Sequence, residues 1–290
     1  MRNALPTKTS VSSERATQPL VSIVTPSLNQ AEFIEQTIVS VKDQDYPNIE
    51  HIVIDGGSTD GTIAILERYP HLRWISEPDD GQASAINKGF RMAAGEIVAW
   101  LNSDDVYLPD AVGEAVRLFA GDPALGLVYG DYQEIDADGK VTKTVRTRDF
   151  DLDFELNVQN VIPQPSAFFR RSLFDRVGYL AERYHYAFDV EFWIRIAEAG
   201  VRITHVPSVW SGFRRHASSK TVAENGRFWR EDRHIRRHHG GKFFSRALYL
   251  HYAYPVYHPV YAATKRLRVL RPFVIRLRRF ARKRRRFARY

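Results

Sequence analysis

The 290-residue chain contains no cysteine. Disulfides, thiolate metal sites and thiol nucleophiles are therefore excluded, and any metal must sit on oxygen or imidazole. The absence also fits a reducing compartment. No apolar run is long enough to span a bilayer. Residues 1–19 are polar, rich in Ser and Thr, and lack the apolar stretch of a signal peptide, so they read as a disordered leader. Two phosphate-binding fingerprints are missing as well. No GxGxxG follows the first apolar run and no GxxxxGKS/T occurs anywhere. Both the dinucleotide signature and the P-loop are absent, which argues against a Rossmann dehydrogenase.

What the chain does have is enough apolar residue, 44%, to bury a substantial core, and a formal charge of +8 that is unevenly placed. Residues 264–290 hold thirteen Lys and Arg and no acid, leaving 29 basic against 34 acidic residues in the remainder. An acidic body with a strongly basic tail points to a catalytic or binding domain with an electrostatic anchor, and no nucleic-acid partner is expected. The tail, 241–290, mixes Tyr, Phe and Leu with a rising density of Arg, and Pro255, Pro259 and Pro272 forbid one uninterrupted helix. Aromatics followed by polybasic amphipathic sequence describe a segment lying on an anionic membrane surface. The leader (1–19), body (20–240) and tail (241–290) are the expected divisions.

Within the body, LVSIVTP (20–26) predicts a buried strand ending at Pro26. Ala31–Lys42 places Phe33, Ile34, Thr37, Ile38 and Val41 at helical spacing, and DQDYPN breaks it before a second strand, IEHIVID (49–55). Thr59 and Asp60 cap a helix through Arg68. LRWIS (72–76), GQASAINKGFRMA (81–93) and EIVAWLN (96–102) then read as strand, helix and strand. This alternation predicts an α/β fold on a mostly parallel sheet flanked by helices on both faces, with ligands bound beyond the carboxyl ends of the strands. Past Pro109 the pattern becomes strand-rich: a helix to about Ala120, a strand at GLVYGDY (126–132), a hairpin at Asp138 and Gly139, and VTKTVR (141–146). AFDVEFWIRIAEAG (187–200) predicts an amphipathic helix with Phe188, Phe192, Ile196 and Ala199 on one side and Gly200 at its C-cap. VRITHVPSVWSGFRRH (201–216) returns as extended chain.

Three of the first four strands run into acids: Asp55 in IDGGSTDGT, Asp79 and Asp80 in SEPDDGQ, Asp104 and Asp105 in WLNSDD. Singly, each is explained by a turn, a cap or solvent. Together they gather negative charge at the ligand-binding edge of the sheet, which makes sense if a divalent cation shares the site, and oxygen ligation suits Mg²⁺ or Mn²⁺.

VSIVTPSLNQAEFIEQTIVSV, HIVIDGGSTDGT, EPDDGQASAINKGF, WLNSDD, QPSAFFRRSLFDRVG and AFDVEFWIRIAEAG resemble, in order and spacing, glycosyltransferase family 2, the inverting enzymes with the GT-A fold. The resemblance covers about residues 20–216. It implies a GT-A Rossmann-like sheet that binds a nucleoside diphosphate sugar with Mg²⁺ or Mn²⁺ and passes a hexosyl or N-acetylhexosaminyl group to an acceptor hydroxyl.

Carried over by position, the resemblance places Thr25 and Pro26 in the nucleotide pocket, Asp55 at the base, and Asp80 and Gly81 at base and ribose. NSDD resembles the family's metal-binding DxD region, with Asp104 the first choice for the metal ligand and Asp105 the second choice. The chain departs from the usual pattern at Asn102, where many members have an Asp, and Asn102 is left to bond a ribose hydroxyl. Asp189 resembles the general base, with Glu191 the alternate. His216, beside Arg215, resembles a position that binds metal or diphosphate, and Gln164 and Pro165 would sit near the acceptor. Trp100 and Trp193 read as core. The expected partner is a glycan or lipid-linked acceptor at the inner face of the membrane, the body being cytoplasmic. A sugar nucleotidyltransferase would show a Gly-rich, Lys-containing loop where TPSLNQ stands. A non-catalytic nucleotide-sugar or partner-binding protein on the same fold is the other alternative.

Overall fold

The computed structural model describes residues 18–216, 219 and 225–242. The leader up to residue 17 and the tail from residue 243, on which the disorder and membrane-surface expectations fall, lie outside the described residues. A half-sheet of parallel strands comes first: β1 (Val21–Ser27), β2 (Ile49–Asp55), β3 (Arg73–Ser76) and β4 (Ile97–Trp100), in the order β3-β2-β1-β4. β1 is buried at every position, Ser22 and Thr25 included, as suits a mostly apolar parallel strand covered on both faces. It is joined to β2 by α1 (Ile34–Lys42), and α2 (Thr62–Leu66) and α3 (Gln82–Met92) complete the alternation. α2 is shorter than the sequence suggests. Asp60 accepts bonds from the Thr62 N–H and hydroxyl, but Gly61 at φ +103° takes the capping position. α3 sits close on the sheet because Gly89 has no side chain: a Cβ there would lie 2.4 Å from Val24 Cγ1 and 3.3 Å from Ile54 Cγ1.

Beyond β4 the expectation of a mostly parallel sheet fails. After β5 (Val106–Tyr107) and α4 (Ala111–Gly121) come β6 (Leu125–Ile135) and β7 (Val141–Val145), a hairpin turning at Gly139 with φ +83°. α5 (Leu152–Asn157) and a 3-10 turn (Gln164–Ser166) lead into β8 (Ala167–Arg170), which runs antiparallel to both β4 and β6. α6 (Leu173–Val177), α7 (Phe188–Glu198), β9 (Arg202–Arg214) and α8 (Asn225–His238) follow. β9 lies parallel to β6 and antiparallel to β5, so the outer half of this nine-stranded sheet is mixed.

α7 is not amphipathic in place. Phe188, Val190, Glu191, Phe192, Trp193, Ile194 and Ile196 are all buried, because the helix is enclosed by the sheet, α5, α6 and α8. Trp193 stacks on Trp100 at 5.3 Å and Phe192 meets Phe169 edge-on at 5.4 Å. These large rings form the centre of the main core cluster, and each full burial contributes on the order of 2–3 kcal/mol.

Candidate active site

A cavity of about 750 Å³ opens where the sheet's strands end: Pro26 and Ser27 close β1, Asp79 and Gly81 join β3 to α3, Gln82 opens α3, Trp100 ends β4, and Asn102, Ser103 and Asp104 follow it. The remaining wall comes from later in the chain, through Arg146–Arg148, the Gln159–Pro165 loop, the start of α7, Phe213 and Arg214 at the end of β9, and His216 beyond it. The site thus lies where the α/β alternation put it, completed by the strand-rich half.

The turn after β4 divides its two acids. Asp104 lines the cavity, and its Oδ2 lies 3.0 Å from His216 Nε2. Asp105 does not face the cavity. It is fully buried, its Oδ1 accepting the Arg214 N–H and its Oδ2 the Asn102 Nδ2. Burial and the neighbouring Asp104 carboxylate push Asp105 well above the usual carboxylate range. Asp105, the second choice for the metal ligand, is therefore a buried brace in this structure. Arg214 explains why the turn holds its shape: its guanidinium donates to the carbonyls of Asp104, Asp136 and Ala137 and to Gln36 Oε1, and stands 5.1 Å over the Phe33 ring.

Asn102 is similarly engaged. Its Oδ1 accepts from Gln82, while its Nδ2 donates to both Asp105 Oδ2 and Gln164 Oε1. Gln164 in turn donates to the Trp100 carbonyl at 2.6 Å. The amide at position 102 ties α3, the β4 turn and the 3-10 turn together, a task that needs a donor and an acceptor in one planar group.

Asp189 enters the cavity from the first turn of α7. Its Oδ1 is enclosed and has no hydrogen-bond partner. Burial pushes the carboxyl up to about 6, opposed by the Val190 N–H and its own N–H, with Asp232 raising it and Arg236 lowering it. Glu191 is no substitute: it is buried, receives both Nε and Nη2 of Arg195 at 2.9 Å, and does not line the cavity. Behind Asp189 lies an ionic core. Arg236 bonds Asp232 at 2.8 and 2.9 Å and stands 3.7 Å from Glu155, whose carboxyl burial pushes up to about 8.

Several expected donor residues are placed apart from the cavity. Asp55 is fully buried and committed to its own turn, accepting from the Gly57 and Ser58 N–H groups and the Ser58 and Ser76 hydroxyls. Thr25 is buried on β1 with its hydroxyl 2.9 Å from His51 Nε2, whose pKa burial lowers to about 3. Of the adjacent pair, Asp79 lines the cavity and Asp80 faces solvent, because Asp79 folds back onto the Gly81 N–H while Gly81 takes φ +111°. Pro26, Gly81, Asn102, Asp104, Gln164, Pro165, Asp189 and His216 all come together in the cavity.

Arg146 and Arg148 in the wall, and Glu231 on α8, carry no signal in the sequence that marks them as site residues. Glu231 accepts the backbone N–H groups of His185, Tyr186 and Ala187 and so fixes the entry to α7, two residues before Asp189.

Comparison with known proteins agrees with this arrangement. The family model described as Glycosyl transferase family 2 matches residues 22–178, more than half of the chain. An uncharacterised glycosyltransferase of Mycobacterium tuberculosis is 34% identical over 186 residues, 62% of this chain and 69% of its own length. The putative teichuronic acid biosynthesis glycosyltransferase TuaG of Bacillus subtilis is 37% identical over 128 residues, 42% of this chain and 50% of its own. Among solved structures, mannosyltransferase PcManGT from Pyrobaculum calidifontis, in complex with GDP-Man and Mn²⁺, aligns with a TM-score of 0.63 at 25% identity, covering 86% of this chain and 74% of that one. S. aureus TarS in complex with UDP-GlcNAc aligns at 0.63 and 18% identity over 80% and 75% of the two chains, a likeness of fold. With that match across more than half its length, the chain belongs to glycosyltransferase family 2 and is a glycosyltransferase of the GT-A fold.

Proposed function

We propose that the chain transfers a sugar, with inversion, from a nucleoside diphosphate sugar to a hydroxyl of a glycan or lipid-linked acceptor in cell-surface polysaccharide assembly. The observation that carries this is the meeting, in one cavity, of the Asp104–His216 pair with an Asp189 oxygen that has no partner of its own. Asp189 is suited to general base chemistry. A carboxyl near 6 is ionised at neutral pH yet basic enough to draw a proton from a hydroxyl, and its enclosed oxygen has an unused acceptor site. As the acceptor oxygen bonds to the anomeric carbon, its proton passes to Asp189, the bond from that carbon to the phosphate oxygen breaks, and the nucleoside diphosphate leaves with the electron pair. Arg146 and Arg148 line the same cavity and oppose the charge that develops on the leaving diphosphate.

A divalent cation fits the donor set on the Asp104 side. Among the described residues no group of three or more acid or His side chains gathers into a complete metal site. One carboxylate and one imidazole suit an ion whose other ligands are diphosphate oxygens and water. Mg²⁺ or Mn²⁺ held by Asp104 and His216 would neutralise the leaving group. On the donor side, Pro26, Asp79 and Gly81 frame the base and ribose, with Asn102 holding the floor; Gln164 and Pro165 lie toward the acceptor.

A body of about residues 20–240 held at the inner face of the membrane by the tail is part of the same proposal. It is supported by the tail's composition and by relatives named for teichuronic acid and O-antigen biosynthesis. No helix among the described residues is long and apolar enough to cross a membrane. Turnover of UDP-, GDP- and dTDP-sugars with Mn²⁺ or Mg²⁺ tests the core of it. One donor should be consumed, chelator should stop the reaction, and Asp104→Ala should lower turnover by about 100-fold or more. A native chain that binds no donor under these conditions would sink the proposal.

A further inference from the structure

Beside the main cavity lies a second one, of about 480 Å³, lined by His185, Tyr186, Arg227, Arg230 and Glu231. We infer that it is an acceptor subsite for an anionic group, a phosphate or carboxylate carried by the molecule that receives the sugar; this rests on the transferase function proposed above. Its position supports this. Tyr186 borders both cavities, and Asp189 stands three residues on, in the first turn of α7, which puts an acceptor seated here beside the cavity that holds the base. The donor diphosphate has a different place, because no residue from the ends of β1, β3 or β4 lines this second cavity.

Charge supports it too. The single acid in the lining, Glu231, already accepts three backbone N–H groups, at 3.0, 2.7 and 3.1 Å. With Arg227 and Arg230 against that one carboxylate, the lining carries a net positive formal charge. Arg227 is braced there by its Nη1 donating to the Tyr186 hydroxyl at 3.4 Å. Guanidinium suits a phosphate or carboxylate because its fork matches two oxygens at once. α8 separates its charges by side. Asp232 and Arg236 face inward as a buried pair, while Arg227, Arg230, His234 and Arg237 recur at helical spacing on the exposed side. That stripe carries the positive field outward from the subsite and steers an anionic acceptor toward it.

The test compares the full chain with the double variant R227Q/R230Q, both exposed positions, after matching their melting temperatures. Binding of decyl diphosphate, decyl glucuronide and uncharged decyl glucoside is measured with nucleoside diphosphate at saturation, and nucleoside diphosphate binding is measured alone. The native chain should bind one of the anionic probes about tenfold or more tighter than the glucoside. Which of the two it prefers identifies phosphate or carboxylate as the group. The double variant should lose that preference while keeping its nucleoside diphosphate affinity within about twofold. On the native chain alone, raising salt from about 50 to about 500 mM should weaken the anionic probe several-fold and leave the glucoside unchanged. No preference for anions, an unchanged preference in the variant, or displacement of the probe by nucleoside diphosphate would each overturn the subsite. Failure of the native chain to bind any nucleoside diphosphate would instead remove the donor function on which it rests.

Discussion

Asn102 shows how one departure from a family pattern is accommodated. Its Nδ2 serves two acceptors, Asp105 Oδ2 and Gln164 Oε1. Restoring the usual acid would replace that donor with an acceptor and bring a third carboxylate beside Asp104 and Asp105. Asn102→Asp should therefore lower stability by about 1–3 kcal/mol, read from denaturant unfolding, and should not improve metal affinity. An unchanged midpoint would mean the amide network is dispensable.

Asp189 makes the opposite case. Its folded pKa is raised above the unfolded value, so its proton stabilises the native state below that pKa, and the contribution disappears as pH rises from about 4 through about 6. At pH 7 the ionised carboxylate is a net cost. Asp189→Asn should raise stability by about 1–2 kcal/mol at pH 7, allowing for partial solvent access, with the gain vanishing below about pH 4. Asp55, Asp79, Asp80, Asp104 and Asp105 were all visible in the sequence as acids beyond strands. Which of each pair meets the cavity was not, because that depends on the backbone: Asp79 rather than Asp80 turns inward through the φ +111° of Gly81, and Asp105 rather than Asp104 is taken up by Arg214, 109 residues away in sequence.

Among the elements, α8 contributes to the site through Phe228, which lines the cavity, and through Glu231. Glu231 holds the three N–H groups ahead of α7, and its charge makes those bonds stronger than neutral ones. Glu231→Ala should lower stability by about 1–3 kcal/mol and slow transfer by shifting Asp189, while leaving nucleoside diphosphate affinity nearly unchanged. Calorimetry alongside turnover and nucleotide titration would separate these effects, and a loss of nucleotide affinity equal to the loss of turnover would contradict a role confined to α7. The helix itself was hard to see in sequence. NGRFWREDRHIRRH has a thin apolar stripe because part of its buried side is the ionic pair Asp232–Arg236. β1 and β2, by contrast, match their predicted runs almost residue for residue, since a parallel strand buried on both faces is rich in apolar and β-branched residues along its whole length. β8 is only four residues long and follows two prolines, so its AFFR carried no periodic signal. Its antiparallel entry between β4 and β6 is where the parallel order of the first half ends.

At the scale of the molecule, two halves with different sequence character share one cavity. The parallel half supplies Pro26, Asp79, Gly81, Asn102 and Asp104; the mixed half supplies Gln164, Asp189 and His216. Order of motifs along the chain announced both halves, but only the fold shows that α8 and the β7–α5 segment close the same space. The proposed chemistry is a single inverting displacement in which Asp189 takes the acceptor's proton. The measurement that tests this most directly is the anomeric configuration of the product, determined by NMR for the native chain, together with the rate for Asp189→Asn across pH. Inverted product, a native rate that falls as pH drops below about 6, and a loss of about 1,000-fold or more in Asp189→Asn with nucleotide still bound are the predicted results. Retained configuration, or near-native transfer by Asp189→Asn, would contradict it.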